Sequence, residues 1–140
     1  MDKNLVTYRP IQTASDEAFV YNAWLKSYKD SPWGKPLIND IFFTNHKEIV
    51  KKLLDSSDTL LAVNPENPDQ IYGFAVIERT PRVSIIHYVY VKYNFRKLGL
   101  ARRLVETLEP MAYKVKFVTH VPRDIAILKK FNLVFNPYIL

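Results

Sequence analysis

The sequence has no cysteine, only three glycines among 140 residues, and no long apolar run. Without cysteine the chain can form neither a disulfide scaffold nor a cysteine-ligated metal site, and it is compatible with a reducing compartment. A membrane-spanning helix needs roughly 18 apolar residues in succession, and no stretch approaches that length. The N-terminus, MDKNLVTYRP, also lacks the apolar core of a signal peptide. These absences predict a cytoplasmic protein with no membrane partner and no cysteine-ligated metal site.

The residues that are present suit one folded domain. Hydrophobic residues make up 48% of the chain and aromatic residues 14%, which is ample for one core and argues against disorder. The length is that of a single domain, so residues 1–140 are predicted to form one unit. The formal net charge is +6, which suits either a polyanion such as nucleic acid or a small phosphorylated cofactor.

The stretch Val83–Pro110 carries the clearest functional pattern. Val83–Val91 is almost entirely β-branched or aromatic and predicts a strand. Apolar residues at helical spacing then predict a helix that starts near Leu98 and is closed by Pro110. The first amides of such a helix have no partner within it, and the helix dipole adds partial positive charge, so this end favours an anion. Gly99 has no side chain to hold a phosphate away from the backbone, so we interpret the turn as a phosphate or pyrophosphate cradle.

The same turn resembles a family signature. Arg96-Lys97-Leu98-Gly99-Leu100-Ala101 fits the Q/R-x-x-G-x-G/A pattern of the GNAT superfamily of N-acetyltransferases. The resemblance implies that the cofactor is acetyl-CoA and that this loop holds its pyrophosphate. It also implies that backbone amides of the preceding strand contact the pantetheine arm and the thioester carbonyl. The cofactor-binding residues implied in this way are Val89, Tyr90, Val91, Arg96, Lys97, Leu98, Gly99, Leu100, Ala101 and Arg102.

The order of the predicted elements is also the one expected of this family. The patterns predict β-α-α-β-β-β-α-β-α-β, an α/β (α+β) fold with a mixed, mostly antiparallel central sheet flanked by helices. Thr13 and Ser15 are candidate caps of the first helix, and Asn45 with Glu48 is a candidate capping box for the second. The predicted elements are Leu5–Ile11, a helix ending near Tyr28, a helix from Asn45, Thr59–Val63, Ile71–Glu78, Val83–Val91, a helix from Leu98, Val115–His120, Arg123–Lys130 and Leu133–Ile139.

The resemblance implies direct transfer of the acetyl group to an amine in a ternary complex, with the strands Val83–Val91 and Val115–His120 diverging to admit the pantetheine arm. His87 interrupts the first strand with a group that can accept a proton near neutral pH. Two-residue alternation places it on the face of Val89 and Val91. Many family members carry a polar group near this position that acts as the base, directly or through water. His87 is therefore the candidate base, and the other interpretation is a buried histidine with one satisfied hydrogen bond.

The general acid that is usual in the family has no counterpart here. The run Ile127–Leu133 matches the family's L-Y-E-K-x-G-F pattern, and Leu128 stands where a tyrosine protonates the leaving thiolate. Asn132 replaces the glycine, and asparagine tolerates the left-handed conformation that glycine would supply. Either the thiolate leaves unprotonated or through water, or another tyrosine such as Tyr113 or Tyr138 serves, or catalysis is lost.

The acceptor side is predicted at the first two helices and the loop between them. Aromatic residues at helical spacing are more often core than pocket, and the loop pair Trp33 and Phe42, with Tyr88, is the candidate substrate pocket. Three functions stay open: an acetyl-CoA-dependent N-acyltransferase, an inactive protein that binds CoA or a partner, and a related protein that acts on nucleic acid. The protein is expected to be a monomer or a homodimer.

Overall fold

The computed structural model describes residues 5–96, 98–108, 115–120 and 132–139. The predicted helix Arg123–Lys130 lies outside these residues. The described elements are β1 (Thr7–Pro10), α1 (Ala14–Lys29), α2 (Asn39–Ser56), β2 (Asp58–Asn64), β3 (Asn67–Arg79), β4 (Val83–Val91), a 3₁₀ turn (Tyr93–Phe95), α3 (Leu100–Leu108), β5 (Val115–Val118) and β6 (Leu133–Phe135).

The six strands form one sheet in chain order, β1-β2-β3-β4-β5-β6. The pairs β1–β2, β2–β3 and β3–β4 are antiparallel, whereas β4–β5 and β5–β6 are parallel. A parallel neighbour requires a crossover connection, and α3 lies in the connection from β4 to β5. The predicted mixed, mostly antiparallel sheet with flanking helices is therefore confirmed.

The first helix starts as predicted and the second does not. Thr13 caps α1 in a capping box with Asp16, and Asp16 is also held by Arg9 on β1 at 2.6 Å. The prediction that Asn45 caps the second helix is wrong, because α2 begins at Asn39 and the Asn45 side chain donates to the Ile41 carbonyl inside it. The start of α2 has no side-chain cap, so it left no capping pattern to recognise in the sequence.

The two faces of the sheet are covered by different helices. One face packs against α1 and α2 around Trp24, Phe42 and Phe74. The other face packs against α3, where Leu100 and Leu104 are fully buried. None of the described helices combines the length and the apolar character needed to cross a membrane.

Candidate functional site

The central strand β4 is paired along both edges only in its first half. Its parallel pairing with β5 runs from Val83 opposite Val115 to Ile86 opposite Val118, and one further hydrogen bond joins the Thr119 amide to the Ile86 carbonyl at 3.2 Å. Pairing with β3 continues to Val91. Within the described residues, the pairing of β4 with β5 therefore ends at Ile86, and the divergence of the two strands beyond this point, which the family resemblance implies, stays a prediction.

The register of β4 shows which backbone groups face this opening. The amide of Lys92 donates to the Tyr72 carbonyl of β3 at 2.8 Å. Because successive residues of a strand turn their backbone groups to opposite edges, Tyr90 also faces β3. Val89 and Val91 then face the side of β5, and the Val91 carbonyl accepts a hydrogen bond from Arg96 Nε at 2.8 Å. Val89, Tyr90 and Val91 stay predicted cofactor contacts, and of the three, Val89 and Val91 turn their backbone groups toward the side of β5.

The loop after β4 leads into α3 through a glycine in a left-handed conformation. Gly99 has φ +81°, and among the described residues no heavy atom outside its two chain neighbours lies within 4 Å of the position that a Cβ would occupy there. Its carbonyl accepts the hydrogen bond of the Arg103 amide at 3.1 Å, so α3 starts at Leu100, two residues after Leu98, near which the start was predicted. The first amides of a helix, here those of Leu100 and Ala101, have no carbonyl within the helix to bond.

The positively charged side chains around this loop differ in their contacts and in their exposure. Arg96 is held against the β4 carbonyl and over the Tyr93 ring at 5.6 Å, so it stiffens the loop. Arg102 is about half exposed and lies 3.9 Å from Glu106, a solvated pair of small energetic value. Leu98 is exposed. Lys97 lies outside the described residues.

The candidate base His87 is completely buried and sits in a β-bulge. Val76 pairs with Tyr88 and Ile77 with Ile86, so His87 is the extra residue between them. Its Nε2 lies 3.1 Å from Glu78 Oε1, and its Nδ1 lies 2.9 Å from Thr119 Oγ1. The bulge interrupts the two-residue alternation that placed His87 with Val89 and Val91.

The hydrogen bonds of His87 continue to the other two histidines of the chain. Thr119 Oγ1 lies 3.0 Å from His120 Nδ1. His120 Nε2 lies 2.8 Å from His46 Nε2 on α2. Glu78, His87, Thr119, His120 and His46 thus form one continuous row, which we call the histidine row. Within the described residues, no group of three histidine, aspartate or glutamate side chains is arranged to hold a metal ion.

Burial keeps the three imidazoles neutral near pH 7. It lowers the pKa of His46 to about 4. It also lowers the pKa of His87, although the hydrogen bond to Glu78 opposes this effect. The pKa of His120 lies well below its usual value because of burial and the two neighbouring histidines, against a hydrogen bond to the His87 backbone. A neutral imidazole donates at one nitrogen and accepts at the other, which is what a continuous row requires.

Two of the three predicted pocket residues belong to one aromatic cluster with this row. Tyr88 stacks on Trp24 with centroids 5.3 Å apart, and Phe42 stacks on His46 at 5.0 Å. Phe42 lies in α2, so describing it as a loop residue is wrong, and it is buried. Trp33 is half exposed and contacts Phe135 of β6 at 5.7 Å.

Sequence reasoning missed the histidine row as a unit. It singled out His87 as the candidate base and did not connect it with His46 or His120. The one available signal was that all three histidines of the chain fall on elements predicted near the site. Leu128 and Tyr113 lie outside the described residues, and Tyr138 is 91% exposed, so it has no buried position near the row.

A family model described as the acetyltransferase (GNAT) family matches residues 18–126. Comparison with curated proteins gives no match. The fold is similar to that of a Pyrococcus furiosus protein assigned as an acetyl transferase, with TM-score 0.63, 16% identity, and coverage of 90% of this chain and 91% of that one.

Two further solved structures share the fold. One is a ribosomal-protein-alanine N-acetyltransferase from Brucella melitensis, with TM-score 0.52, 19% identity, and coverage of 94% of this chain and 79% of that one. The other is a GNAT family acetyltransferase from Elizabethkingia anophelis with acetyl-CoA bound, with TM-score 0.50 and 16% identity. This chain is covered to 96% in that comparison but spans only 65% of the Elizabethkingia chain, and it spans 62% of a similar Desulfovibrio desulfuricans protein.

Proposed function

Because the chain belongs to the acetyltransferase (GNAT) family, we propose that it transfers an acetyl group from acetyl-CoA to an amine by direct attack in a ternary complex. The observation that carries this proposal is the opening beside the second half of β4. There the backbone groups of Val89 and Val91 turn away from β3, next to the start of α3. Backbone amides along the edge of a strand and at a helix N-terminus can bind a ligand without needing particular side chains.

The pyrophosphate of the cofactor would lie at the amides of Leu100 and Ala101. Gly99 leaves this approach open, and the partial positive charge of the helix end favours an anion there. Val89 and Val91 would hold the pantetheine arm in the opening between β4 and β5. When bound, acetyl-CoA supplies an acetyl group activated as a thioester.

The acceptor amine would approach from the α1/α2 face of the sheet, where Phe42, Tyr28 and Tyr88 form an aromatic wall around His46. An amine is protonated near pH 7 and must lose a proton before it can attack. His87 cannot take that proton by direct contact, since it is fully buried and both of its ring nitrogens have hydrogen-bond partners. It would act through the groups bonded to it.

The cofactor site can be tested by calorimetric titration with acetyl-CoA and with CoA at low salt. We expect affinity on the order of micromolar, about −8 kcal/mol. The matched variants are Gly99→Asn and Gly99→Asp, because both side chains tolerate positive φ and differ only in charge. Asp should weaken CoA binding about ten- to hundred-fold by placing a negative charge near the phosphates, whereas Asn should change it by less than about three-fold. Equal affinities in the two variants would place the phosphates elsewhere.

Acetyl transfer itself can be tested by release of the CoA thiol in the presence of three different amines. Phenethylamine, spermidine and a short peptide with a free amino terminus represent an aromatic amine, a polyamine and a protein end. The aromatic wall predicts the fastest turnover with phenethylamine. Binding of CoA without turnover of any of them would favour a protein that binds CoA without transferring its acyl group.

A further inference from the structure

We propose that the histidine row is an oriented proton relay, which takes the proton of the acceptor amine at His46 and delivers it to Glu78. This inference rests on the proposed acetyl transfer to an amine. It assigns roles to His46, Thr119, His120 and Glu78 in addition to His87. The relay is carried by four consecutive hydrogen bonds of 2.8 to 3.1 Å that join five side chains from α2, β3, β4 and the end of β5.

The direction of the first two hydrogen bonds follows from what each group can donate. The Glu78 carboxylate only accepts, so His87 Nε2 carries a hydrogen and donates it. A neutral His87 then accepts at Nδ1, and the donor is the hydroxyl of Thr119 at 2.9 Å. The His87 carbonyl, at 3.5 Å from the same hydroxyl, is a much weaker alternative acceptor.

The remaining bonds are fixed by the single hydrogen of the hydroxyl. Because Thr119 donates that hydrogen to His87, its oxygen must accept from His120 Nδ1. His120 Nε2 is then an acceptor, and its donor is His46 Nε2. His46 Nδ1 is left as the open acceptor of the row.

The two ends of the row lie where a relay needs them. His46 is held between Tyr28 and Phe42, with ring centroids at 5.3 and 5.0 Å, on the face proposed for the amine. No described residue hydrogen-bonds its Nδ1. At the other end the Glu78 side chain is 38% exposed, so solvent can take a proton from it, whereas His87 between the ends is fully buried.

The proton count matches the overall reaction. The ammonium group gives one proton to His46 Nδ1, each hydrogen bond passes one proton onward, and Glu78 receives one and releases it to water. The free amine attacks the thioester carbon, the C–N bond forms and the C–S bond breaks, and the second proton on nitrogen passes to the thiolate. One proton is lost for each acetyl group transferred. The transfer leaves each imidazole as the opposite tautomer, and the relay resets when the rings and the Thr119 hydroxyl reorient and restore the starting direction of the hydrogen bonds.

The surroundings favour concerted passage of the proton. Burial and the neighbouring rings disfavour a charge on any of the three imidazoles, and Glu78 is the charged group that faces the row. Tyr28 on α1, Phe42 on α2 and Tyr88 on β4 line it with aromatic rings. Because a positive charge is unfavourable on each of the three imidazoles, the proton should pass along the whole row to Glu78 in one concerted step.

Thr119 offers a matched pair of variants, since Thr119→Val keeps the shape and removes the hydroxyl, and Thr119→Ser keeps the hydroxyl. We expect kcat with phenethylamine to fall by about 10²-fold in Thr119→Val, a typical contribution of general base catalysis. Thr119→Ser should restore most of the rate, and both should bind CoA like the wild type in calorimetry. Ser27→Ala removes another hydrogen bond of the same cluster, 2.6 Å from Tyr88, and should leave kcat unchanged. Equal rates in the valine and serine variants would overturn the relay.

The direction of the relay can be read from nitrogen NMR of the histidine rings at pH 7.5, without any substrate. The expected hydrogens are at Nε2 of His46, Nδ1 of His120 and Nε2 of His87. A hydrogen on Nε2 of His120, or two hydrogens on any of the rings, would contradict the relay. If the wild-type protein neither binds CoA nor turns over any of the amines, the proposed acetyl transfer is refuted instead. Failure of the relay and failure of the proposed function are therefore distinguishable.

Discussion

The two faces of the central sheet are built in different ways. The α3 face is apolar, with Leu100 and Leu104 packed on small residues such as Ala62 and Ala75. The α1/α2 face is aromatic and polar, and it contains all three histidines of the chain in one hydrogen-bonded row. The first face supports a site made of backbone groups, whereas the second arranges side chains that can move a proton.

The two faces also differ in how far apart in the sequence their functional residues lie. The proposed cofactor site lies within one continuous segment, from β4 through the loop to α3. The histidine row joins residues as far apart as His46 and His120. Changes on the α3 face should therefore alter CoA binding, and changes on the α1/α2 face should alter turnover and its pH dependence.

The largest expected effect of a single substitution is on the α1/α2 face. Trp24 is fully buried, stacks on Tyr88 and contacts His120 edge-on. Trp24→Ala should lower the free energy of unfolding by about 3–5 kcal/mol, measured by urea denaturation. Trp24→Phe is the control and should cost less, because it keeps an aromatic ring and removes a buried N–H that has no hydrogen-bond partner among the described residues. A loss below about 1 kcal/mol for the alanine variant would show that this ring is not part of the core.

The corresponding change on the α3 face is Leu104→Ala. Leu104 is fully buried, and its truncation should cost about 3 kcal/mol in unfolding free energy. Since this side chain seats α3 on the sheet, CoA affinity should fall with stability. Thr107→Ala on the exposed side of the same helix should change stability by less than about 0.5 kcal/mol and leave CoA binding intact. If Trp24→Ala weakens CoA binding as much as Leu104→Ala does, the two faces are not functionally separate.

The third prediction is that stability depends on pH through the three histidines of the α1/α2 face. The folded state disfavours protonation of His46, His87 and His120, so between their ordinary pKa near 6.5 and their folded-state values the unfolded chain binds more protons. Stability should therefore be greatest above pH 6.5 and should decrease as pH falls toward about 4, the pKa of His46. Asp16, with a pKa of about 2 against an ordinary value of 3.8, loses its contribution only at lower pH.

The control for this pH dependence is His46→Phe. Phenylalanine can stack between Tyr28 and Phe42 but cannot take up a proton, so the decrease in melting temperature between pH 6.5 and 4 should be smaller than in the wild type. Thermal unfolding followed by circular dichroism at half-unit pH steps measures both curves. Identical slopes for the two proteins would show that His46 is not buried as a neutral ring.

Much of the fold could be predicted from local sequence patterns. β4 has the predicted bounds, Val83–Val91, because nearly all of its residues are β-branched or aromatic. Thr13 caps α1 as predicted. Asn132 adopts the predicted left-handed conformation, with φ 53°. The start of α2 could not be predicted, since Ile38 precedes Asn39 without a side-chain cap and Asn45 offers a better capping pattern inside the helix.

Part of the candidate site could likewise be predicted from local sequence patterns, and part of it could not. The turn around Gly99 could be identified from the sequence because its glycine, charges and helix start are neighbours in the chain. The surroundings of His87 could not, because one extra residue in β4 opposite Val76 and Ile77 changes the direction of its ring. A bulge depends on how two strands pair, and the contact of His46 with His120 depends on how α2 lies across the sheet. Neither leaves a pattern within a short window of sequence.

The smallest predicted effect tests whether polar contacts on the α1/α2 face also contribute to stability. The Tyr88 hydroxyl lies 2.6 Å from Ser27 Oγ, and Tyr88→Phe removes this contact while keeping the ring stacked on Trp24. Ser27 can still donate to the Ala23 carbonyl at 2.6 Å, so no buried donor is left without a partner, and the expected loss is about 0.5–1 kcal/mol. A double-mutant cycle with Ser27→Ala measures the coupling between the two hydroxyls, which should be about 0.5 kcal/mol or more. Zero coupling would mean that the hydrogen bond between Tyr88 and Ser27 does not contribute to stability.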